Sequence, residues 1–140
     1  MGYPLLHIMA RNWLRTDLNM GIPAKSRIRV ENKLPSNSQY TYRLVVVQTA
    51  VSSPGDTTLT LDVVDLNIDC YAGTDEMAAG LAEMVRSALR LRFVRHIDPV
   101  SGAFIKSVET LARPAWAPWD DASAIERWTA AYRLTVHATP

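Results

Sequence analysis

Residues 66–89, LNIDCYAGTDEMAAGLAEMVRSAL, carry both structural periods of this chain in one stretch. Leu66, Ile68 and Cys70 alternate with Asn67 and Asp69, the two-residue repeat of a strand with one buried face. Gly73-Thr74-Asp75-Glu76 then breaks the alternation. Thr74 is placed to cap a helix, and Asp75 and Glu76 sit near the positive end of its dipole. Met77, Leu81, Met84, Val85, Ala88 and Leu89 follow at spacings of three and four, which predicts a helix buried along that stripe. Glu83 is set to pair with Arg86 one turn on. Arg86, Arg90 and Arg92 collect in the C-terminal half, where the dipole favours cations.

Toward the N-terminus, the run that enters this stretch changes phase. Leu59, Leu61 and Val63 fall on odd positions, whereas Val64, Leu66, Ile68 and Cys70 fall on even ones. Such a switch predicts either a β-bulge or a strand that passes from one environment to another. Residues 42–51, YRLVVVQTAV, are nearly continuous in apolar and β-branched types, which suits a central strand covered on both faces; periodicity alone leaves a buried helix open. Ser52-Ser53-Pro54-Gly55-Asp56 is a turn, so the two strands read as a hairpin. Ile28 and Val30 alternate with Arg27, Arg29 and Glu31 in a short strand. Pro4 opens an amphipathic helix of about three turns on Leu5, Leu6, Met9, Ala10, Trp13 and Leu14, ending by Gly21-Ile22-Pro23.

Toward the C-terminus, Asp98-Pro99-Val100-Ser101-Gly102 is a turn. Phe104 to Arg113 alternates imperfectly, as an edge strand does. The segment RPAWAPWDD (113–121) reads as too proline-rich for regular pairing. The last strand is the clearest: Trp128, Ala130, Tyr132, Leu134 and Val136 share one face, and Thr129, Ala131, Arg133, Thr135 and His137 the other. The order α-β-β-β-α-β-β predicts a single α+β domain spanning 1–140, with both helices packed on one face of a mainly antiparallel sheet.

Composition fits that reading. The 140 residues are 48% hydrophobic, and 15 Lys+Arg against 14 Asp+Glu give a net charge of +1. This excludes a disordered chain and a polybasic nucleic-acid binder, and leaves little self-repulsion to oppose assembly. A lone cysteine, Cys70, excludes an internal disulfide framework and suits a reducing compartment. The opening MGYPLLHIMARNWLRTDL lacks a basic n-region and a small-residue cleavage site, and Leu6 stands where myristoylation needs Ser or Thr. No run approaches the ~20 apolar residues of a membrane span. The expectation is a soluble intracellular protein without a lipid anchor.

No catalytic motif is present: there is no Gly-rich phosphate loop, no serine between glycines at an elbow and no paired histidines at ligand spacing. Cys70, His96 and Asp98 contain the residue types of a thiolate mechanism. Cys70, however, lies in register with Val64, Leu66 and Ile68, which predicts an inert buried thiol, and His96 follows a helix end where histidines cap carbonyls. Asp62, Asp65, Asn67 and Asp69 supply oxygen ligands at close spacing, but one strand cannot wrap a cation, so a solvated sheet face is the favoured reading. Asp65, Asn67 and Asp69 share that face with no positive residue among them, a row suited to lining a channel in a ring. Arg86, Arg90, Arg92 and Arg95 lack the interleaved aromatics of a nucleic-acid site, which favours a solvated face or a protein contact. Trp116 and Trp119 lie outside any periodic pattern and read equally as a local lid or as interface anchors.

Taken in order along the chain, residues 66–89, the RPAWAPWDD segment and the closing AAYRLTVHA (130–138) resemble the tail terminator family of long-tailed phages, particularly the small terminators of phages and prophages of actinobacteria. The resemblance implies a virion protein without catalysis or cofactor. It would form a homohexameric ring on the last ring of the major tail tube protein, stop tube polymerisation and meet a head-side neck protein, while DNA passes through the lumen. Trp116, Trp119, Asp120 and Asp121 are then the expected interface residues, with Arg86 and Arg90 across the ring, and Asp65, Asn67 and Asp69 the expected lumen residues. A stopper or adaptor of the same neck is the nearest alternative, and a small α+β enzyme or ligand-binding domain the more distant one.

Overall fold

The computed structural model describes residues 5–23, 26–34, 43–50, 61–118 and 125–137. Its elements are α1 (Leu6–Asp17), β1 (Arg29–Glu31), β2 (Leu44–Thr49), β3 (Leu61–Ala72), α2 (Asp75–Ala88), a π-helical turn (Leu89–Phe93), β4 (Phe104–Ala117) and β5 (Glu126–His137). The α+β class and the order α-β-β-β-α-β-β are those the sequence predicts. No described helix is long and apolar enough to cross a membrane.

The strands form one sheet in the order β1-β2-β3-β5-β4. β1 runs parallel to β2, and the other pairings are antiparallel. Alternation sorts the sheet into two faces. Val45, Val47, Leu66, Ile68, Cys70, Ala130, Tyr132, Leu134 and Val136 join Met9 and Leu14 of α1 and Leu81 and Val85 of α2 in one core. Both helices therefore cover the same face. On the opposite face, Leu44, Val46 and Tyr71 make a small second cluster with Leu34 and Ile125 against it. Residues 44–47 of β2 are thus buried on both sides, as their unbroken apolar run predicts, although β3 takes the middle of the sheet.

The phase change in β3 is a change of environment and not a bulge. Its register with β5 runs without a break from Leu61↔His137 to Ala72↔Glu126, whereas β2 accompanies it only from Leu66 onward. Leu61, Val63 and Val64, ahead of that point, are half-buried. The turn at 52–56 lies outside the described residues.

β4 corrects two expectations. It is an edge strand, but it continues through Arg113-Pro114-Ala115 and pairs as far as Trp116↔Trp128 and Ala117↔Arg127. Register skips between Ile105 and Ser107, Thr110 and Ala112, and Ala112 and Ala115 absorb the irregularity. Pro114 falls in the last skip, where its missing N–H interrupts no ladder bond. Each skip adds a residue on one strand only, which is why the alternation read from sequence is imperfect.

The buried stripe of α2 is also rotated from the predicted one. Ala78, Leu81, Ala82, Val85 and Ala88 are buried, while Met77 and Met84 are 44% and 42% exposed. Alanines let the helix axis approach the sheet, and the longer methionines are displaced to the flanks. Thr74 caps as expected, its Oγ1 accepting from the Met77 N–H at 3.2 Å. Asn19, unremarked in the sequence, ties α1 to β1: its Nδ2 donates to the carbonyls of Arg15 and Ile28 at 2.8 Å each, and its Oδ1 accepts from the Ile28 N–H at 2.6 Å.

The two stripes separate in a mutational test. Leu81→Ala should cost about 2–5 kcal/mol in urea unfolding, whereas Met84→Ala should fall within about 0.5 kcal/mol of the parent. Comparable losses would restore Met84 to the core.

Candidate functional site

The thiolate constellation does not assemble. Cys70 is buried in the main core, and burial, aided by the charge of Asp69, pushes its thiol far above the ordinary range. The His96 ring stacks on Phe93 at 5.7 Å and 26° and lies 6.1 Å from Trp13. Asp98 directs its carboxylate to Ser101, accepting from the backbone N–H at 2.8 Å and from Oγ at 2.7 Å. Among the described residues, no group of three His, Cys, Asp or Glu side chains is arranged to hold a metal ion.

The sheet face away from the helices carries the row Asp65, Asn67 and Asp69. Strand pairing brings it a cation that sequence order conceals, because Arg133 stands directly opposite Asp65 on β5. Arg133 donates from Nε to Oδ1 at 2.8 Å and from a terminal nitrogen to Oδ2 at 3.1 Å, a two-pronged contact that raises the arginine pKa further. Asp65 is 6% exposed and Asn67 is open to solvent. The charge of Asp65 is thereby matched, and the half-buried Asp69 carries the remaining negative charge of the row.

A second surface lies at the far end of β4. Trp116 is 55% exposed and lies outside the core cluster. Its indole Nε1 donates to Glu126 Oε2 at 2.8 Å, while Trp128, its partner in register, packs on the core and donates to Asp75 Oδ1 at 2.8 Å. The neighbouring expectations Trp119, Asp120 and Asp121 lie outside the described residues.

A third surface is the groove between α2, the π turn and β4. It encloses about 540 Å³ and brings Arg86 and Arg90 together with Arg113, Thr110 and Glu109. Arg86 is largely covered, its side chain 18% exposed and its Nη1 3.7 Å from Glu83 Oε2. Arg90 is open to solvent. Trp116 and the groove thus share the β4 flank of α2, with Arg86 about 16 Å along the helix axis from Asp75. Arg92 turns elsewhere and pairs with Asp17 at 2.8 Å. Glu109, Thr110 and Arg113 are groove residues that sequence reading misses; Arg113 sits in the proline-rich segment, where the expectation of irregular chain hides its register.

These surroundings set two expected outcomes. Asp65→Ala should lower the thermal midpoint by more than Asp69→Ala, because only the former strands a guanidinium on a packed strand; equal shifts would demote the Asp65–Arg133 pair. Cys70 should resist alkylation at pH 8 in the native protein and react on unfolding in guanidinium chloride, since a buried thiol with a raised pKa offers neither access nor thiolate.

No family model and no curated protein sequence matches this chain. Among solved structures, a chain from the "Virion of native gene transfer agent (GTA) particle" matches over 95% of this chain and 95% of its own length, at a TM-score of 0.66 and 20% identity. At that identity the likeness establishes the fold that the two chains share from end to end.

Proposed function

We propose that this chain is a structural subunit of a phage-like virion, of the tail terminator kind. Six copies close a ring that caps the tail tube, ends its polymerisation and offers the opposite surface to a head-side neck protein. The observation that carries the reading is the fold likeness, over 95% of each chain, to a chain of a virion particle. The sequence resemblance to tail terminators supports the finer role.

The surfaces suit that work. A closed ring of identical copies needs two dissimilar patches on each subunit, one fitting the other. The β4 flank, with Trp116 exposed toward one end of α2 and the Arg86 and Arg90 groove toward the other, has the composition of one such patch, since Trp and Arg dominate interface energetics. The helix-free sheet face, with Asn67, Asp69 and the neutralised Asp65–Arg133 pair, suits a lumen wall. A wall of net cations would hold DNA phosphates through counterion release, and a weakly acidic one lets the duplex slide.

Electron-microscope class averages of the neck of the particle to which the chain belongs are expected to show a six-fold ring at the tail end of the junction. A ring one layer nearer the head would reassign the chain to a stopper or adaptor. No ring at the junction would overturn the proposal, as would a ring with Asp65, Asn67 and Asp69 on its outer wall for the lumen assignment. Trp116→Ala should change subunit stability by less than about 1 kcal/mol while reducing ring assembly in size-exclusion and imaging assays. Loss of folding in parallel would return Trp116 to an architectural role.

A further inference from the structure

The groove on the β4 flank has a chemistry of its own. Three arginines, Arg86, Arg90 and Arg113, are among the residues that line it, with one acidic residue, Glu109. Glu109 is shared, because it stands opposite Arg133 in register and adds to the field that holds Arg133 charged. Arg86 and Arg90 lie one helical turn apart, a spacing at which like charges repel unless an anion sits between them. The contact from Arg86 to Glu83 is loose at 3.7 Å and leaves the inner nitrogen unused.

Unsatisfied polar atoms are concentrated at the same place. Arg86 Nε and Thr110 Oγ1 are both buried without a hydrogen-bond partner among the described residues. One strand further in, the Tyr132 hydroxyl, opposite Thr110 in register, is also buried without a hydrogen-bond partner among the described residues. Buried donors are ordinarily paired, and a cluster of unpaired ones calls for an acceptor. Guanidinium forks and a hydroxyl match the oxygens of a carboxylate or a phosphate.

The form of the occupant is also constrained. β4 is an outer edge, but its three register skips, Pro114 and the exposed Lys106 discourage addition of another strand. Arg86 is recessed, whereas the backbone of a duplex would be met by cations spread along an open strip. We propose that this groove is an oxyanion site that takes one carboxylate or phosphate group, at the tip of a side chain or on a small molecule. Arg86 and Arg90 clamp the group and Thr110 supplies a further donor. The proposal holds whether or not the chain forms a ring.

Thermal unfolding in inorganic phosphate, against sodium chloride of equal ionic strength, tests it. A saturable rise of about 6 °C is expected at roughly 20 mM phosphate for a site of about 1 mM affinity. Sodium glutamate in a parallel arm separates the sources: a response to glutamate alone names a protein carboxylate, and a response to phosphate alone names a phosphate group. Arg90→Gln, at an exposed position, should abolish the rise, and Arg11→Gln on α1 should keep it. An equal rise in chloride, no rise in either oxyanion, or a rise that survives both Arg90→Gln and Arg86→Gln would overturn the site. Duplex DNA that displaces phosphate would overturn the single-group geometry.

Discussion

The unbroken pairing of Leu61–Ala72 with Glu126–His137 is the constraint on which the other elements depend. These are the two innermost long strands, and their even-numbered residues point to one side throughout. Leu66, Ile68, Cys70, Ala130, Tyr132, Leu134 and Val136 thereby form a continuous apolar floor that only two covering helices can remove from water. The same register decides the other face, since it is what sets Arg133 against Asp65 and leaves a polar sheet surface open. A slip of one residue would exchange the two faces entirely. The charge balance of the open face and the hydrophobicity of the core are consequences of one alignment.

The outer elements tolerate irregularity because this inner pair does not. β4 carries three skips and a proline, β1 is three residues long, and both are edges. Their departures from regular pairing fall where ladder bonds are fewest and where a flat edge would invite aggregation. The surfaces with interaction chemistry, Trp116 and the arginine groove, are built on this irregular flank. The regular strands hold the scaffold, and the bulged strand presents Trp116 and, beside the arginines of α2 and the π-helical turn, Arg113.

Much of the fold is legible in the sequence because the decisive residues are of one type at one period. The last strand alternates clearly, with Ala131 its one apolar residue on the polar face, and Thr74-Asp75-Glu76 marks the start of α2 by capping chemistry alone. Where sequence and structure part, the causes are physical. Hydrophobicity alone assigns Met77 and Met84 to the core, whereas close approach of α2 to the sheet selects the small Ala78 and Ala82. Pro114 reads as the end of pairing, because a bulge that accommodates it is invisible without the partner strand. The candidate surfaces are less legible still. Arg86, Arg90 and Trp116 can be named from sequence, but the Asp65–Arg133 pair joins residues far apart in the chain, and the orphaned Arg86 Nε and Thr110 Oγ1 exist only in three dimensions.

The π-helical turn at Leu89–Phe93 changes the phase of the chain beyond α2. A regular α-helix advances about 100° per residue, so continuing α2 unaltered would turn a different side of the chain inward by residue 93. The wider turn brings Leu89 and Phe93 both into the core and directs Arg90 outward to the groove and Arg92 across to Asp17. In terms of descent, such a turn behaves as a one-residue insertion that the helix has absorbed. Removing one residue from this segment would straighten the helix and turn Arg90 and Arg92 away from the groove and from Asp17.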